Sequence, residues 1–204
     1  MPSLLQEQNP EALLQRIQQE SAKNQQLVGR FKLRGTGLKK LLGSIDLDII
    51  VKQPHFIYLS IDSFFKQPAR IVTYDGTQLY GLEEKKLEAL LTLPVEPSEL
   101  VELLLRDSNI DRKTIQKLIF ENNTLKITYK AGHVLSFLIN SHYEIQKREL
   151  RDNSDQLIYS VIYENFPHRF YLEARYKNQK HAMTLTSEDV KLNQGVFDDK
   201  LFRR

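Results

Sequence analysis

From Gln26 nearly to its end, the chain repeats apolar residues at every second position, in short runs broken by turn residues. "LVGRFKLRG" sets Leu27, Gly29, Phe31 and Leu33 against Val28, Arg30, Lys32 and Arg34. "SIDLDIIV" puts Ile45, Leu47, Ile49 and Val51 on one face and Asp46 and Asp48 on the other. "FIYLSID" and "ARIVTYDG" continue the pattern, the second closing on an Asp-Gly turn signal. Later come "TLKITYK", "HVLSFLIN", "YEIQKRELR", "QLIYSVIYEN", "RFYLEARYK" and "KHAMTLTSED", separated by "KAGH", "RDNSD", "NFPH" and "KNQK". Connections this short favour antiparallel neighbours. The expectation is a mainly β, α+β fold of about nine to eleven strands. One sheet that wide curls and acquires a concave apolar face. A solid β-sandwich fits the same pattern.

Few helices are available to cover such a face. "NPEALLQRIQQESAKN" reads as one, with Asn9 at the N-cap, Pro10 opening it, and a narrow stripe of Leu13, Leu14 and Ile17. In "EEKKLEALLTLPVEPSELVELLLRD" a helix is expected around Ser98 to Arg106. Its Leu100, Val101, Leu103, Leu104 and Leu105 cover more than half its circumference, so it must be sandwiched. A further helix or turn is expected near Asp111 to Lys117. No repeat or low-complexity tract interrupts the 204 residues, which read as one domain after an N-terminal segment of residues 1–8.

Several function classes fall away. With 29 basic and 26 acidic residues intermixed, a net charge of +3 is too small and dispersed for nucleic-acid binding. The absence of Cys excludes disulfides, thiolate catalysis and Cys-based zinc sites. No apolar run reaches the ~18 residues of a membrane span. "MPSLLQEQNPEALLQ" has neither the basic end nor the apolar core of a signal peptide, so cytosol and periplasm both stay open. His55, His133, His142, His168 and His181 stand singly, without metal-ligand spacing. "GTGLKKLLG" misses the spacing of a phosphate-binding glycine loop and reads as a hairpin connection. Asp46 and Asp48 share a wet strand face. No metal, cofactor or catalytic group is expected.

Two apolar features exceed what a core requires. In "SIDSFFKQPARIVTYDG" the strand connection should be polar, yet it holds Phe64 and Phe65. Burying both is worth roughly 3–6 kcal/mol, enough for reversible contact with a bilayer or an apolar partner. The tail "KLNQGVFDDKLF" scatters Val196, Phe197, Leu201 and Phe202 among charges.

The order of these features, from the N-terminal helix and "VGRFKLRG" through "DSFFKQPA" and the leucine-rich helix to "LTSEDVKLNQGVFDDKLF", resembles the LolA/LolB-like family of periplasmic lipoprotein carriers and outer-membrane lipoprotein receptors. The resemblance is one of order over nearly the whole chain. It implies a curled, incomplete antiparallel barrel closed on its open side by two or three helices, with a cavity for acyl chains of lipoproteins or lipids. It further implies a monomeric, non-enzymatic periplasmic protein that touches the membrane, and a periplasmic carrier as partner if this is the receptor. The cavity wall is expected from Phe31, Leu33, Ile45, Leu47, Ile49, Leu59, Leu103, Leu104, Ile127, Phe137 and Ile162, with Leu100–Leu105 as a lid. The receptor's protruding apolar loop falls on Phe64 and Phe65, and the tail is expected to cap the barrel's edge and mouth. Receptors are anchored to the outer membrane by a lipidated N-terminal Cys; this sequence has no Cys, which leaves carrier and receptor both open. A sensor or interaction module on the same half-barrel, one that delivers nothing, is the alternative.

Overall fold

A computed structural model describes residues 9–35, 44–61, 70–81, 96–176, 179–194 and 202. Asn9 caps helix α1 (Pro10–Ser21) as its residue type requires, its side chain accepting from the Glu11 and Ala12 amides at 2.9 and 3.1 Å. Five strands follow: β1 (Gln26–Gly35), β2 (Ile45–Lys52), β3 (Phe56–Ile61), β4 (Arg70–Asp75) and β5 (Leu79–Tyr80). Helix α2 (Pro97–Leu105) and a 3₁₀ turn (Arg112–Thr114) precede β6 (Ile115–Glu121), β7 (Thr124–Tyr129), β8 (Val134–Ile139), β9 (Ile145–Arg151), β10 (Leu157–Asn165), β11 (Arg169–Tyr176), β12 (Gln179–Thr186) and β13 (Val190–Leu192).

The strands form one open antiparallel sheet of thirteen, ordered β5-β4-β3-β2-β1-β12-β11-β10-β9-β8-β7-β6, with β13 also on β1. This exceeds the expected count because the short β5 and β13 carry little periodicity and because β6 replaces an expected helix. Between Asp111 and Lys117 helical turn is confined to Arg112–Thr114, capped by the Asp111 carboxylate on the Lys113 amide at 2.9 Å. Asn122 and Asn123, both at positive φ (50° and 59°), then turn β6 into β7 as a two-residue hairpin.

Curvature follows from what α2 touches. It packs against β1, β2 and β3, yet it also bonds to Arg148 on β9 and Tyr163 on β10. In sheet order β3 and β9 are six steps apart, about 29 Å if the sheet were flat. A helix about 10 Å across reaches both only if the sheet wraps around it. Register shifts at Ile115/Lys117, Leu138/Ile139, Leu157/Tyr159 and Tyr163/Asn165 supply local bends.

The C-terminal tail differs from expectation. Val196, Phe197 and Leu201 lie outside the described residues. Phe202 is fully buried, its ring 5.1 Å from that of Phe56. Phe56 stands on the side of β3 opposite the core residues Ile57 and Leu59, so Phe202 packs on the outer face of the sheet, away from the hollow.

Candidate functional site

Alternation gives the concave face of the sheet a nearly continuous apolar lining. Phe31, Leu33, Ile45, Leu47, Ile49, Leu59, Ile127 and Phe137 all stand on it, joined by Leu103 and Leu104 from α2, and each is at most 5 % exposed. Ile162 does not join them. Val161 and Tyr163 are the inward residues of β10, and Ile162 faces the other way, half-buried between Lys147 and Tyr171 on neighbouring strands. The "QLIYSVIYEN" strand is apolar on both faces, so its pattern does not reveal its inward phase. Phe64 and Phe65 lie outside the described residues.

Helix α2 packs into this hollow. Leu100, Val101, Leu103, Leu104 and Leu105 are all buried, as a sandwiched helix demands. Besides this apolar packing, a polar cluster ties it to β9 and β10. Arg148, on β9 between Phe137 and Val161, is 4 % exposed and faces inward. Its Nη2 donates to Glu102 Oε2 at 3.2 Å and lies 3.6 Å from Glu99 Oε1. Its Nη1 donates to the Asp107 carbonyl at 3.0 Å, and its Nε to the Tyr159 hydroxyl at 3.1 Å. That hydroxyl donates onward to Glu99 Oε1 at 2.6 Å, and Tyr163 donates to the Leu103 carbonyl at 3.0 Å.

Burial sets the protonation of these groups. It works against the Arg148 charge, but Tyr159, Glu102, Tyr163 and Glu99 outweigh it and hold the guanidinium protonated. Burial raises the Glu102 carboxyl above its ordinary range, against the opposing pull of Arg148. Burial also pushes both tyrosines upward, which keeps Tyr159 and Tyr163 as proton donors.

The C-terminal end of α2 is equally tied. Arg106 ends it in the left-handed region at φ 56°, its guanidinium 4.3 Å from the Phe166 ring and 3.1 Å from Glu144 Oε1. Asp107 then reaches Ser21 Oγ of α1 at 3.2 Å and Gln53 Nε2 of the β2–β3 turn at 2.9 Å. Clefts of about 450 and 330 Å³ flank Gln53 and Pro54, lined by residues such as Gln26, Lys52, Asn193 and Ser108, apart from the apolar wall.

Sequence reasoning missed Arg148, Tyr159, Glu99 and Glu102. The available signal was in "YEIQKRELR". Ile145 and Leu150 are five apart, and both can face inward only if a residue is looped out. Gln146 is that residue, since Leu138 pairs with Lys147 while Ile139 pairs with Ile145. The shift turns Arg148 inward. Among the described residues no metal-binding cluster occurs, and no helix is long and apolar enough to cross a membrane.

No protein-family model matches the sequence, and no curated protein matches it significantly. Solved structures do match. A LolA superfamily protein from Nitrosomonas europaea superimposes with a TM-score of 0.60 at 15% identity, covering 95% of this chain and 96% of that one. The chain has a LolA-like fold. A putative outer membrane lipoprotein-sorting protein domain from Vibrio parahaemolyticus gives 0.53 at 12% identity, over 96% and 98% of the two chains. A DUF1329 family protein from Desulfovibrio piger gives 0.50 at 10%, over 94% and 95%. At these identities the LolA-like likeness is one of fold.

Proposed function

We propose that this protein is a non-enzymatic periplasmic carrier or receptor that takes acyl chains of a lipoprotein or lipid into the hollow beneath α2 and passes them on. The observation that carries this reading is how α2 is held. Its five buried apolar side chains face into the hollow, and polar bonds to β9 and β10 add to their hold. Burying those side chains is worth roughly 8–15 kcal/mol gross, and moving about fourteen methylenes from water roughly 11 kcal/mol. On the apolar terms alone a guest chain can therefore take the place of α2 against the wall, and the polar ties of α2 to Arg148, Tyr159 and Tyr163 are the remaining cost of opening. The bound state is one with α2 lifted, and the wall residues Phe31, Leu47, Leu59, Ile127 and Phe137 contact the chain.

Organic extracts of the purified protein, analysed by mass spectrometry, should contain acyl lipid, and a fluorescent fatty acid should bind and be displaced by it. Absence of both lipid in the extract and probe binding would sink the carrier reading and favour a sensing or interaction module. Phe64 and Phe65 are proposed to touch the membrane or the receiving partner. Replacing both with Glu should cut co-sedimentation with liposomes while leaving probe binding unchanged; undiminished co-sedimentation would remove that role.

A further inference from the structure

Arg148 is an expensive residue to place in an apolar wall. A buried guanidinium persists only where fixed oxygens compensate it. Three of the four hydrogen-bond and ion-pair partners found for it among the described residues, Glu99, Glu102 and the Asp107 carbonyl, belong to α2 or lie two residues past it. Only Tyr159 comes from the sheet. If α2 lifts, both carboxylates leave together, and the charge stays behind on β9. A purely hydrocarbon guest offers nothing in exchange. We infer that Arg148 selects guests carrying an anionic head, a carboxylate or a phosphate, which replaces Glu99 and Glu102 at the guanidinium once α2 has moved. This rests on the acyl-carrier reading above and adds a charge requirement to it.

The geometry suits such an exchange. Arginine presents planar paired N–H donors that match two oxygens of a carboxylate or phosphate. Nη2 now points at the carboxylates of the moving element, so lifting it frees that end of the fork. Nε stays on Tyr159, which fixes the plane of the group. The flanking Phe137 and Val161 are apolar, so the head would sit at the guanidinium with its chain along the wall.

A fluorescent long-chain fatty acid and its methyl ester, titrated below their aggregation limits, test this directly. The acid should bind about tenfold or more tightly than the ester, the difference expected of a charge-assisted hydrogen bond. Unlabelled phosphatidic acid and diacylglycerol, used as competitors, extend the test to a phosphate head, and the acid-to-phosphatidic-acid ratio tells which source the site prefers. In Arg148→Gln the gap between acid and ester should close while ester binding persists. The wild-type comparison alone decides the matter if that variant does not fold. Equal binding of acid and ester by the wild type, or a gap that survives in Arg148→Gln, overturns the charge requirement and leaves the carrier reading standing. Failure of every acyl probe to bind overturns both.

Discussion

Asp107 joins parts of the molecule far apart in sequence. Its carboxylate takes hydrogen bonds from Ser21, Gln53 and the Ser108 amide, while its carbonyl accepts from Arg148. Replacing it with Ala removes the acceptor of Gln53 Nε2 and the Ser108 amide, while Ser21 keeps the Gln18 carbonyl, and should cost about 2–3 kcal/mol in urea unfolding. Asn, which keeps one carbonyl oxygen, should cost less. Glu102 makes a prediction in pH. Its folded-state pKa lies above the unfolded value of 4.5, because burial outweighs Arg148. Its contribution to stability is therefore full below pH 4.5 and is lost as pH rises through the folded value. Glu102→Gln stays neutral throughout, beside the same Arg148, Glu99 and Asp107. Its stability relative to the wild type should thus climb as pH goes from 4.5 towards neutrality, by at most about 1.4 kcal/mol for each pH unit crossed. A flat difference would contradict the burial of this carboxyl. None of this was legible locally. Glu99 stands in the first turn of α2 and Glu102 a turn later, and only packing turns them towards a cation 49 and 46 residues away.

At the scale of elements, β1 is the seam of the sheet. It pairs with β2 on one side and with both β12 and β13 on the other, so the two ends of the chain meet on it. Gly29 sits opposite Val190 where β13 closes in, and a Cβ there would stand 3.0 Å from the Asp189 carbonyl oxygen and the Val190 Cα. Gly29→Ala should cost roughly 1–3 kcal/mol, read as a lowered Tm. Phe202 supports the sheet from outside, so Phe202→Ala should destabilise by about 3 kcal/mol without altering fatty-acid affinity. Reduced affinity at unchanged stability would instead place the tail in the hollow. Most strands were legible here because one buried face imposes a period of two. β6 was not: Asp111 announces a helix start, and its helix ends after Thr114. The stronger signal was the Asn-Asn turn joining "IQKLIFE" to "TLKITY".

For the whole molecule, the question is whether α2 leaves the sheet. The chain has no Cys, so two introduced thiols can be labelled specifically. Glu96, exposed at the start of α2, and Lys126, exposed on β7, suit spin labels as Glu96→Cys and Lys126→Cys. Added fatty acid should shift or broaden the distance distribution between them, and an unchanged distribution at saturating ligand would rule out lid movement. The sequence by itself determined the β class, the two faces of most strands, the capped first helix and the apolar second one, because period and capping act within a few residues. Tertiary structure alone decided that the sheet wraps α2, that Phe202 covers its outside, and that a looped-out Gln146 turns Arg148 inward to meet Glu99 and Glu102. Those outcomes depend on which distant surfaces meet when the sheet curls, and local periodicity carries no record of that choice.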